Sequence, residues 1–273
     1  MPLLAIASSE EQQCPFAALA ADGKLAVIGS NLGRHMGESV SLEVNDRSGQ
    51  GVNSVRRAGW VLQSEDPSVQ DLMLVRAEPI LIAPGGSATV TCRAFCVEAN
   101  DAGPSEGAVY HLGHLASAKL VELAEFINAG KYGDDAVLFS VWTVTGARPI
   151  SSIPNDDPAS EPLRRKVSEL TGQAIPWYTV SYDDTRDADH YTNEASAENG
   201  RFDFSMANNG VLTIVATDAE GHMLTELGHD RHLGPGDYSM NIALTIKGWK
   251  RGTYSIRAYE GGSNLVKRID FEV

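Results

Sequence analysis

Positive charge is in short supply in this 273-residue chain: 22 Lys+Arg stand against 36 Asp+Glu, a formal net charge of -14 at pH 7. A surface of that sign repels polyanions, which excludes nucleic acid as a partner. Long apolar runs are missing too. None approaches the roughly 20 residues of a bilayer-crossing helix, so no membrane span is expected. Solenoid or propeller repeats, a phosphate-binding glycine loop, H-E-x-x-H and a dinucleotide fingerprint are all absent. These absences leave no positive case for an enzyme and imply no cofactor.

Cysteine is scarce. Cys14, Cys92 and Cys96 are too few for a disulfide framework and lack zinc-ligand spacing. From Ser87 to Glu98, Ala88, Val90, Cys92, Ala94 and Cys96 alternate with Thr89, Thr91, Arg93 and Phe95, so both cysteines face one side of a strand. Four residues of strand span about 13 Å, too far for Cys92 and Cys96 to bond to each other. A disulfide of Cys14 with Cys92 or Cys96 stays open, beside buried free thiols acting as small apolar residues.

What is present predicts a β-rich α+β protein. Val40, Leu42 and Val44 alternate with polar neighbours, and the apolar stretches at 71–75 and 79–83 precede the turn residues Pro84-Gly85-Gly86. Mostly antiparallel sheet is therefore expected up to about Glu98. The period then changes. Leu120, Leu123, Ala124 and Ile127 share one helical face, with Ser117 as N-cap and Gly130 as stop. A second helix over about 135–145 buries Val137, Leu138, Val141 and Trp142, and a third carries Leu163, Val167 and Leu170 and stops near Gly172. The first domain is thus expected over 1–182, with a helical part at about 115–172.

Residues 183–199 are polar and acidic and read as a linker. From 200 to 273, short apolar strands alternate with the turn signals Asn208-Asn209-Gly210, Asp218-Ala219-Glu220-Gly221, Gly234-Pro235-Gly236, Arg251-Gly252 and Gly261-Gly262-Ser263. That spacing predicts a β-sandwich of immunoglobulin-like type. In its last strand, Leu265, Ile269, Phe271 and Val273 are expected on one face.

The segments Leu212-Thr-Ile-Val-Ala-Thr-Asp-Ala-Glu-Gly, Leu233-Gly-Pro-Gly-Asp-Tyr and Arg251-Gly-Thr-Tyr-Ser-Ile-Arg resemble the Ig-like domain of flagellar hook-capping proteins and of secretion-associated C-terminal modules. The resemblance covers about 200–273 and implies a spacer, sorting signal or assembly surface without catalytic residues. Cys96-Val97-Glu98 and Val141-Trp142-Thr143-Val144-Thr145-Gly146 are similar to bacterial surface thioester-type adhesin domains. That resemblance puts Cys96 where the reactive thiol would stand. It also implies a Gln four residues before the Trp, where this chain has Leu138, so the covalent chemistry is absent.

His111 and His114 in His-Leu-Gly-His are the nearest approach to a metal site, with a third ligand still to be supplied. Gly228-His229-Asp230-Arg231-His232 reads as a solvated loop. Asp183, Asp184, Asp187 and Asp189 lack the glycine and terminal glutamate of an EF-hand. Ala5-Ile6-Ala7 has the form of a signal-peptidase site, and also reads as an ordinary apolar N-terminus. Taken together, these features lead to the expectation of a non-catalytic exported protein at a cell surface or in an extracellular structure. Its expected partners are protein or glycan surfaces or further copies of itself. The competing expectations are a metal-dependent hydrolase with an accessory Ig-like domain and a cytoplasmic structural protein.

Overall fold

A computed structural model describes residues 15–183 and 194–273. Cys14, the Ala5-Ile6-Ala7 motif, Asp184, Asp187 and Asp189 lie outside the described residues, as does most of the expected linker. The chain divides into two compact units, one through residue 174 and one from residue 175 onward.

Unit 1 opens with a short helix, α1 (Pro15–Ala21), whose Phe16 is fully buried. The strands β1 (Leu25–Asn31), β2 (Glu38–Asp46), β3 (Val52–Arg56), β4 (Trp60–Ser64), β5 (Leu72–Leu74), β6 (Glu78–Ile82), β7 (Ser87–Cys96) and β8 (Val109–Leu115) follow. Six of them close an antiparallel barrel in the order β1-β2-β7-β5-β4-β8, with β1 and β8 meeting at Gly29↔Tyr110. Strands β3 and β6 form a separate pair. Val40, Leu42 and Val44 point inward as their alternation requires, and so do Cys92, Ala94 and Cys96. Gly29 is needed at the barrel's closure, because a Cβ there would sit 3.0 Å from the Tyr110 Cβ and 3.2 Å from a Leu42 methyl.

Three helices complete the unit: α2 (Ala118–Ala129), α3 (Asp134–Val144) and α4 (Ser160–Thr171). Leu120, Leu123, Ala124 and Ile127 are the buried face of α2, as their spacing predicts. Asp134 and Asp135 occupy the first turn of α3, next to the positive end of its dipole. Gly172 ends α4 in the left-handed region at φ 76° and donates its N–H to the Ser168 carbonyl. Helices and barrel share one core that includes Trp142, Val137, Leu163, Tyr110 and Phe95. Burying each such side chain contributes on the order of 1.5–3 kcal/mol.

Unit 2 contains β9 (Tyr178–Tyr182), β10 (Ala195–Met206), β11 (Gly210–Thr217), β12 (Met223–Leu233), β13 (Gly236–Thr245), β14 (Thr253–Glu260) and β15 (Asn264–Glu272). They make two antiparallel sheets, β13-β10-β9 and β12-β11-β14-β15, around a core of Phe202, Phe204, Ile214, Ile242, Ile256 and Phe271.

The structure corrects the domain boundary. Residues 178–182 pair with β10 rather than with unit 1, and 195–199 are the first part of β10 instead of linker. The polar letters of 194–199 hid this, because Ser196 is partly exposed, Asn199 is exposed, and the inward position between them is a glutamate, Glu198. The expected loop at 228–232 is likewise a strand. It lies on β12, an edge strand open to water along most of its length, so it carries no apolar alternation. In β15, Ile269 and Val273 pack on the core with buried Phe271, whereas Leu265 is 49% exposed. A register shift between Ala258 and Tyr259 turns Leu265 out of the shared face.

Candidate functional site

Unit 1 has an acidic cleft of about 550 Å³ where β4, β5 and β8 approach the segment after β7. Glu65, Asp71, Glu98, Asp101 and His111 line it together with Gln63, Ser64, Pro67 and Val69, and among the described residues no Lys or Arg does. Its floor is tied together by hydrogen bonds. The Ser64 N–H donates to Asp71 Oδ1 at 2.9 Å, and the Asp71 N–H donates to Glu98 Oε2 at 2.8 Å. Gln70 Nε2 donates to the Asp101 carbonyl at 2.8 Å, and the buried Tyr110 hydroxyl donates to the Gln70 carbonyl at 2.9 Å.

Burial raises the Glu98 carboxyl above its ordinary range. The negative charges of Asp71 and Asp101 add to that effect, while the Asp71 N–H opposes it. Packing several carboxylates together without a cation leaves a field that favours a positively charged group. Chemically the cleft can hold such a group.

His111 belongs to this cleft; His114 does not line it. Both are exposed on β8, and three positions of strand separate them. Among the described residues, the one grouping of three His, Cys, Asp or Glu side chains with ligand atoms within 4.8 Å of each other is Asp218, Glu220 and His222, in the β11–β12 turn. Asp218 is already engaged there. Its Oδ1 accepts the His222 N–H at 2.7 Å, and its Oδ2 lies 3.0 Å from His222 Nδ1. His229 lies between Glu226 at 2.8 Å and Asp230 at 3.1 Å on the exposed face of β12. Asp183 pairs with Lys247 at 2.5 Å.

Cys92 and Cys96 are buried free thiols. Arg56 Nη1 donates to Cys92 Sγ at 2.8 Å, yet burial still raises the Cys92 thiol above its ordinary value, against the pull of Arg56. Burial raises Cys96 much further, and the charge of Glu98 adds to it. Neither is poised as a thiolate. At the resemblance's second element, Leu138 is buried in α3, and the Thr145 hydroxyl reaches the Val97 carbonyl at 3.5 Å.

One motif passes unnoticed in a reading by function. Gly103-Pro104-Ser105-Glu106-Gly107 has the letters G-x-S-x-G, but it lies in the turn between β7 and β8 and leads into a strand. A nucleophile elbow requires a strand-to-helix turn, so these letters form no elbow. The acidic cleft was missed for a different reason. Its carboxylates come from separated stretches of the chain, and the β4–β5 and β5–β7 pairings with the Val69↔Ala102 bridge bring them together, while the β4–β8 ladder sets His111 opposite Gln63.

No protein-family model matches the chain, and no curated protein matches it at a significant level.

Proposed function

We propose that this is a non-catalytic, exported protein that binds a surface, adheres, or assembles with its own kind, and that unit 2 is its immunoglobulin-like attachment module. The observation that carries this reading is the strand order of unit 2. Taking β9 to β15 as seven successive strands, the first, second and fifth form one sheet, and the third, fourth, sixth and seventh form the other. The first, second and fifth strands set against the third, sixth and seventh match the division of strands in Ig-like sandwiches, which supports the reading. A second feature supports it. Tyr254, at the start of the sixth strand, donates its hydroxyl to the Lys250 carbonyl four residues upstream at 2.7 Å, which is the tyrosine corner of such domains. Modules of this kind serve by resemblance as spacers, sorting signals or assembly surfaces.

Unit 1 then supplies recognition. Its acidic cleft suits a cationic group on a protein partner or an amino-bearing glycan. Light scattering of the purified protein, combined with binding to cell-surface preparations and fractionation of the source cells, tests the reading. The expected result is export together with either a defined oligomer or saturable surface binding. A strictly monomeric protein retained in the cytoplasm and indifferent to surfaces, glycans and itself would sink the proposal.

A further inference from the structure

Glu198 is the most anomalous polar residue of unit 2. It occupies an inward position on β10, is 0% exposed, and among the described residues neither carboxyl oxygen has a hydrogen-bond partner. Its ladder neighbours are apolar: Val180 on β9 and Leu244 on β13. Among the described residues no hydrogen bond or ion pair reaches its carboxyl, and burial is what alters its acidity.

The titratable groups around it do not help. From β9, Tyr178 feels the charge of Glu198; its hydroxyl accepts the Glu272 N–H at 3.0 Å, and among the described residues no hydrogen bond joins it to Glu198. Tyr182 on β9 and Glu272 on β15 are the other groups that act on Tyr178, and both can only add negative charge. From β13 the core-facing side chains near Glu198 are Ile242 and Leu244, followed by Ile246. The opposite sheet contributes Tyr254 of β14 with Ile256 and Ala258, and Leu212, Ile214 and Ala216 of β11. Lys247 is exposed and engaged by Asp183.

An ionised carboxylate in such a place must either keep its proton or reach water. The two neighbouring strands resist unequally. β13 pairs with β10 over an unbroken register from Ala197↔Thr245 to Met206↔Gly236. β9 has β10 as its one strand partner, is five residues long, and pairs across a register shift between Ala195 and Ala197. The strand that gives way is therefore β9.

We propose that Glu198 makes β9 a pH-released edge strand: protonated, it stays buried against Val180 and β9 stays paired; ionised, it reaches water by parting β9 from β10. The parted β10 presents an unpaired strand edge, a template for adding a strand from another chain. That use of the edge, though not the release itself, rests on the assembly reading. Burial raises the Glu198 carboxyl from its ordinary 4.5 to about 8. With a raised folded-state value, the contribution to stability is fully present below about pH 4.5 and is lost as pH rises through about 8.

Hydrogen exchange of the full chain from about pH 6 to about pH 9, corrected for intrinsic exchange, tests the release. Protection of the β9 amides and of the β10 amides facing them is expected to fall by about 10-fold or more, while β11 and β14 keep theirs. Glu198→Gln is expected to abolish that pH dependence. An equal loss across all strands of unit 2, or an unchanged profile in Glu198→Gln, overturns the proposal. Should Glu198→Gln fail to fold, the carboxyl carbon resonance of Glu198 in the natural protein decides: a midpoint near 8 supports release, and one near 4.5 overturns it. Light scattering at both pH values reads assembly separately, so a released but monomeric protein refutes the assembly reading and leaves the release standing.

Discussion

Arg56 and Glu78 face each other across the β3–β6 ladder, with Arg56 Nη2 donating to Glu78 Oε2 at 2.6 Å beneath a surface that leaves 1% of the arginine side chain exposed. The same guanidinium reaches Cys92 Sγ and the Arg76 carbonyl, so one buried cation fastens the β3–β6 pair to β7 of the barrel. Removing its carboxylate strands the charge. Glu78→Gln is expected to lower the stability of unit 1 by about 2 kcal/mol in urea unfolding. That is less than the ~3–5 kcal/mol of a fully buried pair, because Glu78 is partly exposed and two acceptors remain. No change in the unfolding midpoint would show that the pair does not hold β3–β6 in place.

The Tyr254 hydroxyl offers a test confined to unit 2. Tyr254→Phe keeps the ring's stacking against Phe271 and deletes the hydroxyl's bond to Lys250. A loss of about 1 kcal/mol is expected, read as a lower midpoint for unit 2 with unit 1 unaffected.

Asp46 organises two turns at once. Its carboxylate accepts from the Ser48 hydroxyl and from the Ser48, Gly51 and Gly85 N–H groups. The Ser48 hydroxyl, followed by the Gly85 N–H, holds the Asp46 carboxyl well below its ordinary value of 3.8. A lowered folded-state value gives stability that is present above pH about 3.8 and lost as pH falls below it. Acid titration of Asp46→Asn, followed by fluorescence of unit 1, is expected to show a lower starting stability and a shallower acid limb than the natural protein.

The two thiols should behave as core atoms. In the native protein at neutral pH, an alkylating reagent is expected to leave Cys92 and Cys96 unmodified, and to label both once urea unfolds unit 1. Mass spectrometry of the peptides reads the outcome, and fast labelling of Cys96 in the folded state would restore a reactive role there.

For the cleft, Glu65→Gln with Asp101→Asn removes two charges while sparing the Ser64–Asp71 and Asp71–Glu98 bonds. Calorimetry with a short lysine-rich peptide is expected to show binding that weakens several-fold in the double variant and with added salt. Equal heats for both proteins would remove the cleft from the recognition surface.

The sequence was most legible where one face of an element is buried. The α2 stripe, the Gly172 stop, the inward run from Ala88 to Cys96 and the Phe202-Phe204-Met206 alternation all read directly. It was least legible where partners are distant in the chain. Nothing local in Ile28 or His111 announces that β1 and β8 meet and close a barrel. β12 escaped because an exposed edge strand needs no apolar period, and β9 because five residues beside an acidic stretch carry too little pattern. Glu198 was hidden by its own polarity, since a carboxylate in a polar run reads as solvated.

The barrel's circle of strands passes through β5, just three residues long, which meets β4 at Val61↔Met73 and Leu62↔Leu72 and meets β7 at Leu72↔Cys96, Met73↔Phe95 and Leu74↔Ala94. All three of its side chains are fully buried, so this link is held by apolar packing more than by its few backbone bonds. Opening the circle at Leu72-Met73-Leu74 exposes three core side chains at once, each contributing on the order of 1.5–3 kcal/mol, so its shortest strand is a costly place to part the ring.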